Sequence, residues 1–266
     1  MDLLQALILG LVEGITEYLP VSSTGHLLIA QRLLGIEEGT AANAYAIAIQ
    51  GGAIVAVLGT YRQRVAGMVG GLLGRNADGL KLALCILAAF LPAAILGLLF
   101  DDQIEARLFG VKPVIAAWVA GGVLILALNR WVERHREGLD LAQLTWRAAV
   151  VIGFFQAVAM WPGTSRSLVT ILGGLAVGLS LAAAVEFAFL LGVLTLTAAT
   201  AYSIVKSGDG MLGSYGWPAL LTGFIAAWLS AALAVKWMVA WLNRHGLGLF
   251  AWWRFAAAAL AGLLLL

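Results

Sequence analysis

Residues 3–34 read LLQALILGLVEGITEYLPVSSTGHLLIAQRLL. The stretch is apolar enough for a membrane, yet Glu13, Glu17, Pro20 and His26 interrupt it. Proline has no amide hydrogen and ends a helix. Neither side of Pro20 is then long enough to cross a hydrocarbon core of about 30 Å at about 1.5 Å per residue. The reading is a helix, a break and a second helix that dip into the bilayer and return to the side of entry. Irregular backbone survives at that depth only inside protein or along a polar cavity. Residues 148–185 repeat the pattern, with Pro162, Gly163 and Arg166 inside an apolar run.

Around these two segments lie runs that need no break. Residues 39–61, 82–100, 113–129, 187–205 and 210–235 carry no charge, and 247–266 carries only Arg254. Each is long enough to span a membrane as a helix. Of the 266 residues, 62% are hydrophobic and 11% are charged, against roughly 25% charged in a soluble domain. So few charges cannot coat a soluble globule, which excludes a soluble enzyme, a disordered chain and a nucleic-acid binder. The fold class is an all-α polytopic membrane protein, residues 1–266 as one domain, with six transmembrane helices and two re-entrant broken-helix hairpins. Cys85 is the single cysteine, which excludes an internal disulfide and reads as a small buried hydrophobe.

Charge in the loops predicts the orientation. Residues 62–81 hold Arg62, Arg64, Arg75 and Lys81 against Asp78. Residues 130–147 are also rich in arginine, and 236–245 hold Lys236 and Arg244 with no acid. Basic loops belong in the cytoplasm. Residues 101–112, with Asp101, Asp102 and Glu105, then lie outside, as do the near-neutral 206–217 and both termini. The first broken segment enters from outside and the second from the cytoplasm, each followed by three spans. That is an inverted-topology repeat, about 1–135 and 145–266, and such repeats hold their site near the midplane. A faint echo supports it: residues 9–13, LGLVE, align with 152–156, IGFFQ. Pro20–Ser23 align with Pro162–Ser165 after a one-residue gap.

Ionisable groups inside a membrane are expensive and mark function. Glu13 and Glu17 are four apart, so both carboxylates share one helix face. Such a pair holds a divalent cation or shares a proton. Ser22, Ser23 or Thr24 can cap the second half-helix, whose N-terminus suits an anion such as phosphate. His26, about one turn in, can act as nucleophile or general acid. Ser165, Arg166 and Ser167 form the counterpart, and a buried arginine prefers a carboxylate or a phosphate. Arg254 is a second guanidinium that either joins this site or snorkels to the surface. Gln50 and Glu186 read as structural polar residues. The set suits phosphoryl transfer or hydrolysis on a lipid, while soluble phosphate motifs are absent.

Residues 13–26, EGITEYLPVSSTGH, resemble the first signature of bacterial undecaprenyl-pyrophosphate phosphatases, the bacitracin-resistance proteins. Residues 162–170, PGTSRSLVT, resemble the second. The likeness covers the whole chain, including Gln50-Gly51, Glu186-Phe187 and Arg254-Phe255. It departs at Gly51, where leucine is usual, and at Trp253, where tyrosine is commoner; neither departure is expected to touch the chemistry. The resemblance implies hydrolysis of undecaprenyl pyrophosphate to undecaprenyl phosphate and phosphate, which recycles a cell-wall carrier lipid. It implies a divalent cation, Mg²⁺ or Ca²⁺, on Glu13 and Glu17, and a plasma-membrane site that faces the periplasm. It makes Glu17, Ser23, His26 and Arg166 catalytic. Ser22, Thr24, Ser165, Ser167 and Arg254 would bind phosphate. The nucleophile stays open between His26 and Ser23. The partners expected are the polyprenyl pyrophosphate and the bilayer, with a homodimer through small-residue helix faces and no nucleic acid. The rival reading is a transporter that flips undecaprenyl phosphate on the same repeat. A second class of lipid phosphatase needs another histidine, and His135 and His245 both lie in basic loops.

Overall fold

The structure, a computed structural model, describes residues 1–37 and 39–266. The side chains of Asp101, Asp102, Glu105, Ala106, Ile204 and 206–212 are outside the description. The outer-loop charges expected at Asp101, Asp102, Glu105, Lys206 and Asp209 therefore lie outside the described residues.

The described chain is nearly all helix. Two short helices, α1 (Leu3–Thr16) and α2 (Ser23–Leu33), flank the first break. Asp2 starts α1 as a capping box: its side chain accepts from Gln5 N, and Gln5 Oε1 accepts from Asp2 N. Gln5 Nε2 then donates 3.0 Å to Leu34 O, which ties the two outer ends of the hairpin together. After α3 (Thr40–Thr60), α4 (Arg62–Leu72), α5 (Ala77–Leu108) and α6 (Val111–Arg134), the pattern recurs. The second break is flanked by α7 (Trp146–Ala157), with a 3₁₀ turn Val158–Met160, and α8 (Arg166–Ala176). Its ends are also tied, because Leu139 N donates to Gly178 O and Ser180 N donates to Leu139 O. The chain closes with α9 (Leu181–Leu242) and α10 (Gly248–Leu265).

Six segments are long and apolar enough to cross a membrane: Thr40–Thr60, Ala77–Phe100, Val111–Arg134, Leu181–Ser203, Gly213–Leu242 and Gly248–Leu265. They coincide with the six runs read from the sequence, and the protein is a multi-pass membrane protein. Several expected loops are helical instead. Residues 62–72 form α4, α5 continues to Leu108, and α9 is two helices that meet at a kink at Gly216 (φ 73), so most of 206–217 is helical as well. Gly216 stands two before Pro218, where the chain must turn, and only glycine takes that φ without strain. Charge marks a membrane boundary, but it does not stop a helix whose backbone bonds are intact.

The two halves interlock. Glycines let each short first helix touch the backbone of a long helix from the other half. Gly10 and Gly14 of α1 lie against Gly223 and Ala227 of α9, and Gly153 of α7 lies against Ala89 of α5. These small-residue faces are used within the chain. Gly51 follows the same logic, since a Cβ there would lie 2.9 Å from the Phe224 ring. Cys85 is buried, with Sγ 3.8 Å from Leu144 O.

Candidate active site

Both breaks end in a strained serine. Ser22 (φ 73, ψ 101) caps α2, and Ser165 (φ 77, ψ 109) caps α8. Among the described residues they are the only non-glycines with positive φ. Such backbone costs about 1–3 kcal/mol and persists only where surroundings enforce it. The matching conformations correct the alignment above. Ser22 corresponds to Ser165 and Pro20 to Gly163, so the repeat needs no gap and Glu13 stays opposite Gln156. The register follows the cap conformation rather than the prolines.

The clamps on these breaks come from far away in the chain. Arg254 is wholly buried, and its Nε donates 2.8 Å to Pro20 O. Its two terminal nitrogens donate to Gly163 O (3.2 Å) and Thr164 O (2.8 Å). One guanidinium therefore staples corresponding carbonyls of the two breaks. Trp118 Nε1 donates to Val21 O at 3.0 Å. Ser165 Oγ and Ser167 Oγ both reach Leu19 O, at 3.5 and 2.9 Å. Arg254 was expected on the phosphate. Three of its five N–H groups are instead engaged with backbone, satisfying buried carbonyls that would each cost about 1–3 kcal/mol if left unpaired.

Between the breaks lies a cavity of about 440 Å³. Glu17, Ser22, Ser23, Thr24, Ser165 and Arg166 line it. Ser23 Oγ donates to Glu17 Oε2, and Arg166 donates to Glu17 Oε1 at 2.9 Å. A second Arg166 nitrogen donates to Ala188 O at 2.8 Å, and the guanidinium carbon sits 5.4 Å from the Tyr18 ring centre. A hydroxyl, a carboxylate and a guanidinium thus stand in a row at the start of α2, where helix N–H groups lack intrahelical partners. Beyond this row one wall is apolar. Phe90, Ala93, Ala94, Gly97 and Leu98 of α5 face Met160 of the 3₁₀ turn, and Leu98 at the rim is 75% exposed.

Besides Arg254, three expected site residues stand off the cavity. His26 Nδ1 lies 2.7 Å from Ser22 O, to which it must donate. Its Nε2 accepts from Trp253 Nε1 at 2.9 Å. Both ring nitrogens are occupied, so the imidazole holds the strained Ser22 carbonyl and presents no lone pair to a phosphorus atom. Trp253, the residue that departs from the family pattern, takes part in this arrangement after all. Ser167 is buried against Leu19 O. Glu13 is wholly buried behind Glu17, and neither of its carboxylate oxygens has a protein partner.

Sequence reasoning passed over several residues. Gln156, Thr195 and Gln50 also line the cavity, with Thr195 Oγ1 donating to Gln156 Oε1 at 3.1 Å. Gln156 carried a signal, being aligned with Glu13 in the echo between residues 9–13 and 152–156. Gln50 was read as structural, as was Glu186. Glu186 pairs with Arg64 at 2.7 Å, away from this cavity.

The whole chain matches known proteins. The family model for bacitracin resistance protein BacA covers residues 6–260. The chain belongs to the BacA family. It is 43% identical over 258 residues to the undecaprenyl-diphosphatase of Sorangium cellulosum, covering 96% of this chain and 84% of the relative. Undecaprenyl-diphosphatase 2 of Rhodospirillum rubrum is 44% identical over 260 residues, covering 96% of this chain and 92% of the relative. The undecaprenyl-diphosphatase of Methylococcus capsulatus matches at the same identity and coverage. The family likeness includes both signatures, so the two breaks that meet at the cavity lie within the matched region.

Proposed function

We propose that this protein hydrolyses undecaprenyl pyrophosphate to undecaprenyl phosphate and phosphate. The observation that carries the proposal is the Ser23–Glu17–Arg166 row in a cavity whose opposite wall is apolar and open at its rim. A polar end for two phosphates and an apolar end for a tail suit a lipid pyrophosphate. The names of the relatives support the same substrate.

Ser23 is the nucleophile in this reading. A serine hydroxyl is weak alone and needs an adjacent base, which Glu17 supplies through its hydrogen bond. Oγ attacks the terminal phosphorus as its proton passes to Glu17. The bond from that phosphorus to the bridging oxygen breaks, and undecaprenyl phosphate departs as the leaving group. Water then takes the phosphoryl group from Oγ, one water proton returns to Oγ, and the Glu17 proton leaves with the phosphate. Arg166 and the N-terminal amides of α2 and α8 neutralise the oxygens as charge moves between them. His26 acts as a positioning residue that holds Ser22, and hence Ser23, in place.

A divalent cation fits beside this row. Among the described residues no cluster of three His, Cys, Asp or Glu could hold one alone. Glu13, however, has two unsatisfied buried oxygens. Mg²⁺ commonly sits between one or two carboxylates and substrate phosphates. Glu13 and Glu17 would hold Mg²⁺ or Ca²⁺ together with the pyrophosphate, and the ion would supply charge neutralisation there.

Sidedness follows from the charges. The basic segments at 62–81, 130–147 and 236–245 belong in the cytoplasm. With three spans between the first hairpin's ends and the second's, the halves form an inverted repeat. The site then opens to the periplasm, with both termini outside.

The test is phosphate release by purified protein in detergent, where no sidedness exists and a pure transporter releases none. Ser23→Ala should abolish release. An acid-stable phosphoryl adduct on Ser23 is expected after rapid quench, and an acid-labile adduct on His26 would reverse the assignment.

A further inference from the structure

A second cavity, of about 390 Å³, adjoins the first. The two share Thr24, Gln50, Ala199 and Tyr202 as lining. The second runs between α2 and α3 and ends near Thr40, Phe109 and Ser203. These mark the start of α3, the junction of α5 with α6, and the end of the span Leu181–Ser203 within α9. That end of the molecule is the one opposite the basic segments. The exposed rim residues Phe109 and Tyr202 show that the cavity reaches the surface there.

The two cavities differ in chemistry. The first has an apolar wall that opens between α5 and the 3₁₀ turn. The second also has apolar lining, from Leu27, Leu28 and Ile47 among others, but it carries more polar groups than the first, hydroxyls and amides from Thr24, Gln31, Thr40, Asn43, Gln50 and Ser203, and none of its described lining residues is charged. Resting on the reading above, a sterical problem follows. While the lipid is docked, its own tail fills the apolar mouth. The phosphate freed at Ser23 lies deeper than the tail and is far too polar to leave through hydrocarbon. It needs a second way out.

We propose that the second cavity is the exit route for orthophosphate, and that water enters by the same path. Neutral donors suit transit. Amides and hydroxyls offer a phosphate hydrogen bonds without the fixed positive charge of a guanidinium. A row of amides and hydroxyls can therefore pass an anion that an arginine would retain. The enzyme has two mouths of unequal polarity, a lateral, more apolar one for the prenyl tail and an axial, more polar one for the inorganic product. Phosphate can depart before the lipid does.

Ala46 lines the second cavity and not the first, so it allows the route to be plugged after folding. The protein is Ala46→Cys in a Cys85→Ala background, treated with benzyl methanethiosulfonate and later with reductant. Lipid monophosphate and orthophosphate are followed separately from the first turnover in detergent. Before modification the variant should match its parent. After modification, first-turnover formation of lipid monophosphate should be unchanged. Orthophosphate release and steady-state turnover should fall about tenfold or more, as when product release limits the cycle, and reductant should restore both. Unchanged release in the modified protein would overturn the proposal. Equal slowing of lipid monophosphate in the first turnover would also overturn it, because the cavity would then admit the headgroup of the substrate instead. A parent protein that releases no phosphate at all would count against the hydrolase reading, not against this route.

Discussion

Arg166 and Arg254 bring the same group to the same centre, and their hydrogen bonds separate their roles. Arg166 holds Glu17 with one nitrogen and Ala188 O with another, at the cavity wall. A lysine ammonium is a point charge and cannot reproduce that fork. Arg166→Lys should lower kcat by ~10²–10³, the usual cost of one strong oxyanion donor, with little change in Tm. A rate close to the parent's would reduce Arg166 to a counter-ion for Glu17. Arg254→Lys should do the converse. It leaves at least one of three buried carbonyls unpaired, at about 1–3 kcal/mol each. Its thermal midpoint in detergent should fall by several degrees, and activity should fall only with the folded fraction. Both arginines were visible in the sequence as buried charges. Their division of labour was not, because it depends on which carbonyls lie within 3 Å, and those belong to segments remote in sequence. The same holds for His26, whose lone pair is taken by Trp253, a residue at the far end of the chain.

Helix α5 and the 3₁₀ turn after α7 form the two lips of the lateral mouth. Gly97 faces the turn, and a Cβ built there would lie 3.9 Å from Met160 Sδ. A larger side chain would bridge the gap. Gly97→Leu should raise KM strongly for the full-length prenyl pyrophosphate. It should spare geranyl pyrophosphate, whose short tail fits within the cavity. Comparing kcat/KM for the two substrates checks this. Equal losses would mean that the tail leaves elsewhere. The helices that carry the lips were legible as apolar runs. The mouth was not, because a gap between helices is set by small residues on facing surfaces, and glycines such as Gly97 look the same in sequence whether they pack or gape.

The interlocked halves make orientation in the membrane a single yes-or-no property of the whole chain. Thr40 and Arg134, both exposed, lie at opposite ends of the span bundle. In a Cys85→Ala background, Thr40→Cys should react with a membrane-impermeant thiol reagent on intact cells, and Arg134→Cys should react only after lysis. Labelling of Arg134→Cys from outside would invert the assignment and place hydrolysis on the cytoplasmic face.

Length, hydropathy and proline were enough to read six spans and two broken segments from the chain alone. The reason is that a hydrocarbon solvent makes each helix satisfy its own backbone, so every element is a local decision. The paired carboxylates, the hydroxyls and the arginines were likewise legible, since charge inside an apolar run stands out wherever it packs. Which hydroxyl meets Glu17, which arginine lines the cavity, and the ungapped register of the two breaks came from folding the halves together. Those depend on Arg254 and Trp118 reaching across the molecule to hold two strained serine caps, and no local rule links residues that distant.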